Sequence, residues 1–165
     1  MKRRFFLAAL PAVLLAGCGF KLRRLEDMPF SSLYLDAPGN SAVAARIRSS
    51  LARSEITRLT ATAAEAEAVL KLRNEERSKI ILSLSGAGRV TEYRLGLRLT
   101  YSLVAKDGRS LAAPETLELI RDMTFDDTQV LAKAAEEELL FRDMVDNAAR
   151  RILRRLQSIN PAATT

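Results

Sequence analysis

The 165-residue chain has no histidine and a single cysteine, Cys18. It therefore offers no metal-ligand spacing of Cys and His. Histidine-assisted nucleophilic catalysis is excluded for the same reason. Long apolar runs are also missing: Phe5 to Leu15 is apolar over eleven residues, against the roughly 20 needed to cross a bilayer. Gly86-Ala87-Gly88 is not followed by Lys and Ser/Thr, so it reads as a hairpin tip and not a phosphate loop. Asp126-Asp127 are adjacent carboxylates, but their place between a strand and a helix suits capping and turn formation. Nothing assembles into the roles an active site requires, and the expectation is a non-enzyme without cofactor or metal.

What is present begins with the cysteine. A buried core thiol, half of an intermolecular disulfide and a modification site are three roles open to Cys18. Its flanks favour the third. Lys2, Arg3 and Arg4 form a positive segment ahead of the short apolar run, which has the proportions of a secretory signal. Leu15-Ala16-Gly17-Cys18 then matches the bacterial lipobox, in which the thiol is acylated and the chain cut just before it. Small residues at Ala16 and Gly17 let the peptidase approach the backbone. Cys18 is thus the expected lipidation site, and two or three acyl chains anchor a protein essentially permanently. Gly19 stands where inner-membrane lipoproteins commonly carry aspartate, so the outer membrane is the expected location. Removing 17 of 165 residues leaves 148, one ordinary domain. It also lowers 26 basic residues to 23 against 20 acidic ones, a net of +3 in place of +6. That balance and the export signal argue against a nucleic-acid partner.

The rest of the chain divides by period. Residues 18–31 read as a lipidated start and tether with paired charges. Ser32–Asp36 reads as a short strand, and Ala37-Pro38-Gly39-Asn40 as a turn. Asn40 or Ser41 can cap a helix in which Val43, Ile47 and Leu51 recur every four residues. From Ala68 to Phe125 the period becomes two: Ile80, Leu82 and Leu84 alternate with Ile81, Ser83 and Ser85. In TEYRLGLRLTYSLV, Tyr93, Leu95, Leu97, Leu99, Tyr101 and Leu103 share a face opposite Arg94, Gly96, Arg98, Thr100 and Ser102. That alternation predicts an antiparallel sheet covered on one face only. Lys106-Asp107-Gly108-Arg109 supplies a hairpin turn, and Leu117 to Phe125 a further strand, imperfectly patterned at Arg121. From Gln129 to Ser158, Ala134, Phe141, Val145, Ala148, Ile152 and Leu156 form one stripe. Glu136, Glu137 and Glu138 near its start and four arginines near its end suit the helix dipole.

The order β-α-β-β-β-α predicts an α+β two-layer sandwich, with two helices on one face of a mainly antiparallel four-stranded sheet. One domain is expected over 32–158, followed by a tail over 159–165. The uncovered sheet face is polar and carries Arg94 and Arg98. Arginine and lysine grip phosphates, although such charges are ordinarily solvated surface.

CGFKLR, AARIRSSLARS, VTEYRLGLRLTY and QVLAKAAEEELLFRDMVDNAARRILRRL occur in this order, and together they resemble the LPS-assembly lipoprotein family LptE. Lys21 departs from the histidine frequent there. The resemblance implies a two-helix, four-stranded sandwich without catalysis, plugging the outer-membrane β-barrel LptD, assisting its assembly and delivering lipopolysaccharide to the outer leaflet. It also implies that Arg89, at the GAGR tip, and Lys133, in VLAK, contact lipopolysaccharide, and that Arg94 and Arg98 belong to a partner surface. An accessory subunit or scaffold of another envelope lipid-transport system is the alternative.

Overall fold

A computed structural model describes residues 28–53 and 57–159. The helical spacing of Val43, Ile47 and Leu51 produces α1 (Ala42–Leu51), which buries all three. Ser41 caps it, its Oγ accepting from the Ala44 amide at 2.9 Å. The period-two stretch forms a meander of three long strands, β3 (Ala68–Leu84), β4 (Val90–Ala105) and β5 (Ser110–Thr124). Ahead of them lie β1 (Ser32–Asp36) and a two-residue strand, β2 (Arg58–Leu59). The last helix, α2, spans Val130–Gln157.

The result is an α+β sandwich of two helices on one face of a five-stranded sheet, ordered β2-β1-β3-β4-β5. It has one strand more than expected, because Arg58–Leu59 is too short to carry a period. The long strands pair antiparallel, but β1 is parallel to both β2 and β3. The crossover through α1 imposes that direction, since parallel neighbours need a long connection.

Register places Leu95, Leu97, Leu99, Tyr101 and Leu103 of β4 on the helix-covered face, with Leu70 and Leu72 of β3 and Leu119 and Met123 of β5. Against them pack α1 and the α2 stripe from Phe141 to Leu156. Met28 and Phe30, in the stretch expected to be tether, are buried in this core, as is Ile159 beyond α2.

Two expectations fail toward the far end of the meander, and an aliphatic stretch stays exposed there. Ala134 is exposed, and Leu131 is 88% exposed, so the buried stripe of α2 begins only at Phe141. Ile80, Ile81 and Leu84 are each 56% exposed. Below the first turns of α2 the sheet presents Arg77 and Lys79 in place of aliphatics, because these two share a face with Leu97 and Leu95. Glu137 and Glu138 pair with Lys79 (2.5 Å) and Arg77 (3.5 Å), so they bind the sheet and do not serve the helix dipole. The first turn of α2 holds no acidic residue.

Candidate ligand and partner surfaces

β1 covers β3 only as far as Lys71. Arg73 closes the end of β1, its guanidinium bonding the Asp36 carboxylate (2.6 Å) and carbonyl (2.9 Å). Immediately after it the β3–β4 register slips between Arg73 and Glu76. Asn74 takes φ 55°, the left-handed region that asparagine tolerates better than most residues. This bulge turns Glu75 toward α1. Past it, the outer edge of β3 meets no described strand, and Ile80 to Leu84 form an exposed aliphatic edge. Such edges are open to pairing and apolar cover.

The uncovered face of β3, β4 and β5 is polar in ranks. Arg94 lies between Ile80 and Asp122, Gly96 between Ser78 and Ile120, and Arg98 between Glu76 and Glu118. Arg94 and Asp122 form a two-bond ion pair, with Nε to Oδ1 at 2.8 Å and Nη2 to Oδ2 at 2.9 Å. Those hydrogen bonds hold the Asp122 carboxyl below its ordinary pKa and raise that of Arg94. Arg94 is therefore half of a neutral pair and not a free cation. Arg98 is exposed and has a carboxylate on either side in register. Cross-strand partners from two other segments cannot be read from β4 alone.

Arg89 and Lys133 come to the same end of the domain. Arg89 closes the β3–β4 turn, where the Ser85 amide donates to the Arg89 carbonyl (2.7 Å) and Gly88 takes φ 76°. The Phe125 amide bonds the Thr91 carbonyl at 2.7 Å, which brings the start of α2 beside this turn. Neither cation is unengaged. Arg89 Nη1 lies 3.0 Å from Asp127 Oδ2 with its side chain 73% exposed. Lys133 Nζ bonds Glu136 (2.9 Å) and Thr124 Oγ1 (3.1 Å), and its side chain is only 16% exposed. Between them Asp126 caps the short 3-10 turn Asp127–Gln129, accepting from the Thr128 amide at 2.9 Å. That bond first, then the Thr128 hydroxyl, holds its carboxyl below the ordinary value. The tip is a set of basic groups, each with an acidic neighbour, beside Val130 and Leu131. A polyanion arriving there has donors to take and carboxylates to displace.

Cys18 lies outside the described residues. Among the described residues no cluster of His, Cys, Asp and Glu is placed to hold a metal ion, and no helix is long and apolar enough to cross a membrane. A groove of about 530 Å³ opens on the sheet near β1, lined by Tyr34, Val69, Lys71, Val104 and Lys106 among others.

A family model described as LptE, lipopolysaccharide-assembly, matches residues 30–156. The chain belongs to the LptE family. It is 28% identical over 159 residues to an LPS-assembly lipoprotein LptE of Photorhabdus laumondii, covering 94% of this chain and 86% of that protein. With the LptE of Pectobacterium atrosepticum it shares 26% identity over 165 residues, covering 97% and 89%. Among solved structures it resembles lipoprotein B from Nitrosomonas europaea, determined by solution NMR, at 35% identity and TM-score 0.71 over 86% of this chain and 92% of that one. Rare lipoprotein B from Shewanella oneidensis matches at 30% identity and TM-score 0.67 over 77% and 94%. This LptE-family chain shares with them the α+β arrangement, two helices against one sheet, that periodicity predicted.

Proposed function

We propose that this protein is an outer-membrane lipoprotein, anchored through acylated Cys18, that plugs and helps assemble the LptD β-barrel and passes lipopolysaccharide toward the outer leaflet. The observation that carries the reading is the uncovered far half of the sheet. A domain with a complete core leaves one sheet face polar and an aliphatic edge, Ile80–Leu84, without cover. Barrels of many strands enclose a wide polar interior, and a two-layer domain with such a face suits that lumen. Membership of a lipopolysaccharide-assembly family supports the same reading. Arg94 and Arg98 then meet the barrel wall, Arg94 as a pair with Asp122. Arg89 and Lys133 meet the phosphates of lipopolysaccharide.

Purification from native membranes through a tag at Thr165 tests this. A large barrel should copurify, and its heat-modifiable folded form should fall when the protein is depleted. Mass spectrometry should find Cys18 acylated and N-terminal. Unchanged barrel folding on complete depletion would sink the plug; an unmodified Cys18 in the membrane-bound protein would sink the anchor.

A further inference from the structure

The two ends of the domain treat their cations differently. Toward the far end five basic groups are paired with carboxylates, Arg89 with Asp127, Lys133 with Glu136, Arg94 with Asp122, Lys79 with Glu137 and Arg77 with Glu138, while Arg121 bonds the Ile120 carbonyl. The near end gathers the start of β1, the start of β3, the β4–β5 turn and the last turns of both helices. The Arg58 amide bonds the Ser31 carbonyl (2.9 Å), the Ser31 amide bonds Glu67 (2.8 Å), and the Lys106 amide bonds the Glu67 carbonyl (2.9 Å). Here Arg53, Arg58, Lys106, Arg150, Arg151 and Arg154 are exposed, and no carboxylate of a described residue pairs with any of them. The carboxylates at this end are mostly occupied: Glu67 accepts from Ser31, Asp107 faces Arg109 and Glu115 faces Arg155. Among the described residues of this end, Glu65 stands apart. On α2, Arg150, Arg151 and Arg154 fall within an arc of about 100°, opposite the buried stripe.

This end is also the one nearest the membrane on the anchor reading. Met28, the first described residue, packs here and follows Cys18 by ten positions. Ten extended residues reach at most about 35 Å. We propose that the near end is a second membrane contact, docking electrostatically on a bilayer surface that bears anionic phospholipid. Clustered Lys and Arg beside an anchor bind such surfaces, and they complement acyl chains by holding the domain in one orientation. The proposal rests on the Cys18 reading for the domain's orientation only. These arginines serve the contact because no carboxylate of a described residue has to be displaced.

The test therefore uses a chain without lipid, residues 18–165 with Cys18→Ser. It keeps the whole core of residues 28–159, and its fold is checked by circular dichroism. It should cosediment with phosphatidylcholine vesicles containing phosphatidylglycerol at low salt, release at high salt, and ignore phosphatidylcholine alone. R150E/R154E should lower the partition coefficient at least about tenfold. R121E/R142E makes the same change in net charge away from the near end, at two exposed arginines that bond backbone carbonyls, and should leave partitioning within about twofold. Absence of binding to anionic vesicles at low salt overturns the proposal, and so does an equal loss in both variants. Intact vesicle binding by R150E/R154E also overturns it, and if that variant loses a copurifying barrel, the patch faces an acidic protein surface. Mass spectrometry of Cys18 decides the anchor separately, so the two failures are distinguishable.

Discussion

Glu75, from the bulge of β3, accepts the backbone amide of Ala42 at 3.0 Å and so closes the N-terminus of α1 from outside the helix. The same carboxylate takes the Val43 amide (3.3 Å) and the Ser41 hydroxyl. Two donors with no intrahelical partner and the positive end of the helix dipole are thus satisfied by one residue 33 positions away. The bulge that ends β1 pairing and the helix that follows β1 are one construction.

Glu75→Ala should destabilise the domain by about 1–2 kcal/mol, because it leaves part-buried amides unpaired. Glu75→Gln keeps an acceptor and should cost less. Asn74→Val should also destabilise, since a β-branched residue resists φ 55°, whereas Asn74→Gly should be tolerated. Urea unfolding of the four variants checks the order. An unchanged midpoint for Glu75→Ala would show that the carboxylate only decorates the helix.

Engaged cations at the far tip give a two-sided expectation for lipopolysaccharide. Arg89→Gln with Lys133→Gln should weaken binding at least about tenfold, or about 1.4 kcal/mol, by removing charge-assisted donors. Asp127→Asn with Glu136→Gln should strengthen it, because the ligand's phosphates then compete with no internal carboxylate. Binding isotherms with melting temperatures beside them separate this from a purely structural role of Lys133. Equal affinities across wild type and both double variants would end the assignment.

The pH profile should be a broad plateau. Donation from the Ser31 hydroxyl and amide holds Glu67 below its ordinary 4.5; Arg94 does the same for Asp122, and Thr128 for Asp126, below 3.8. A carboxyl with a depressed folded pKa stabilises above its unfolded value, and that stability is lost as pH falls through the folded one. Tyr101 is pushed from 10.0 up to about 12 by burial and then by its hydrogen bond with Glu115. A raised tyrosine pKa favours the neutral phenol, so its contribution is intact below pH 10 and fades between there and about 12. Histidine is absent, so no imidazole titrates between. The melting temperature should stay flat from about pH 5 to 9 and fall on either side. A step near about pH 6.5 would contradict this.

Local period determined much of the fold by itself. Leu95, Leu97, Leu99 and Leu103 had to share a face, and Val43, Ile47 and Leu51 a stripe, because strand and helix geometry act within a few residues. The Ser41 helix cap and the Asp-Gly turn are equally short-range, hence legible. Tertiary structure decided whatever depends on which distant segments meet. The Ile80–Leu84 edge stays outside because β1 ends at Asp36 and Arg77 and Lys79 occupy the covered face where α2 passes. β1 runs parallel because α1 carries the chain back before β3 begins. Whether an arginine is free or spent is likewise a matter of partners: Arg94 meets Asp122 and Arg89 meets Asp127 across 28 and 38 positions, while Arg150 and Arg154 meet no carboxylate among the described residues. Charge is written in the sequence, but its neutralisation depends on distance in space, and folding alone sets that distance.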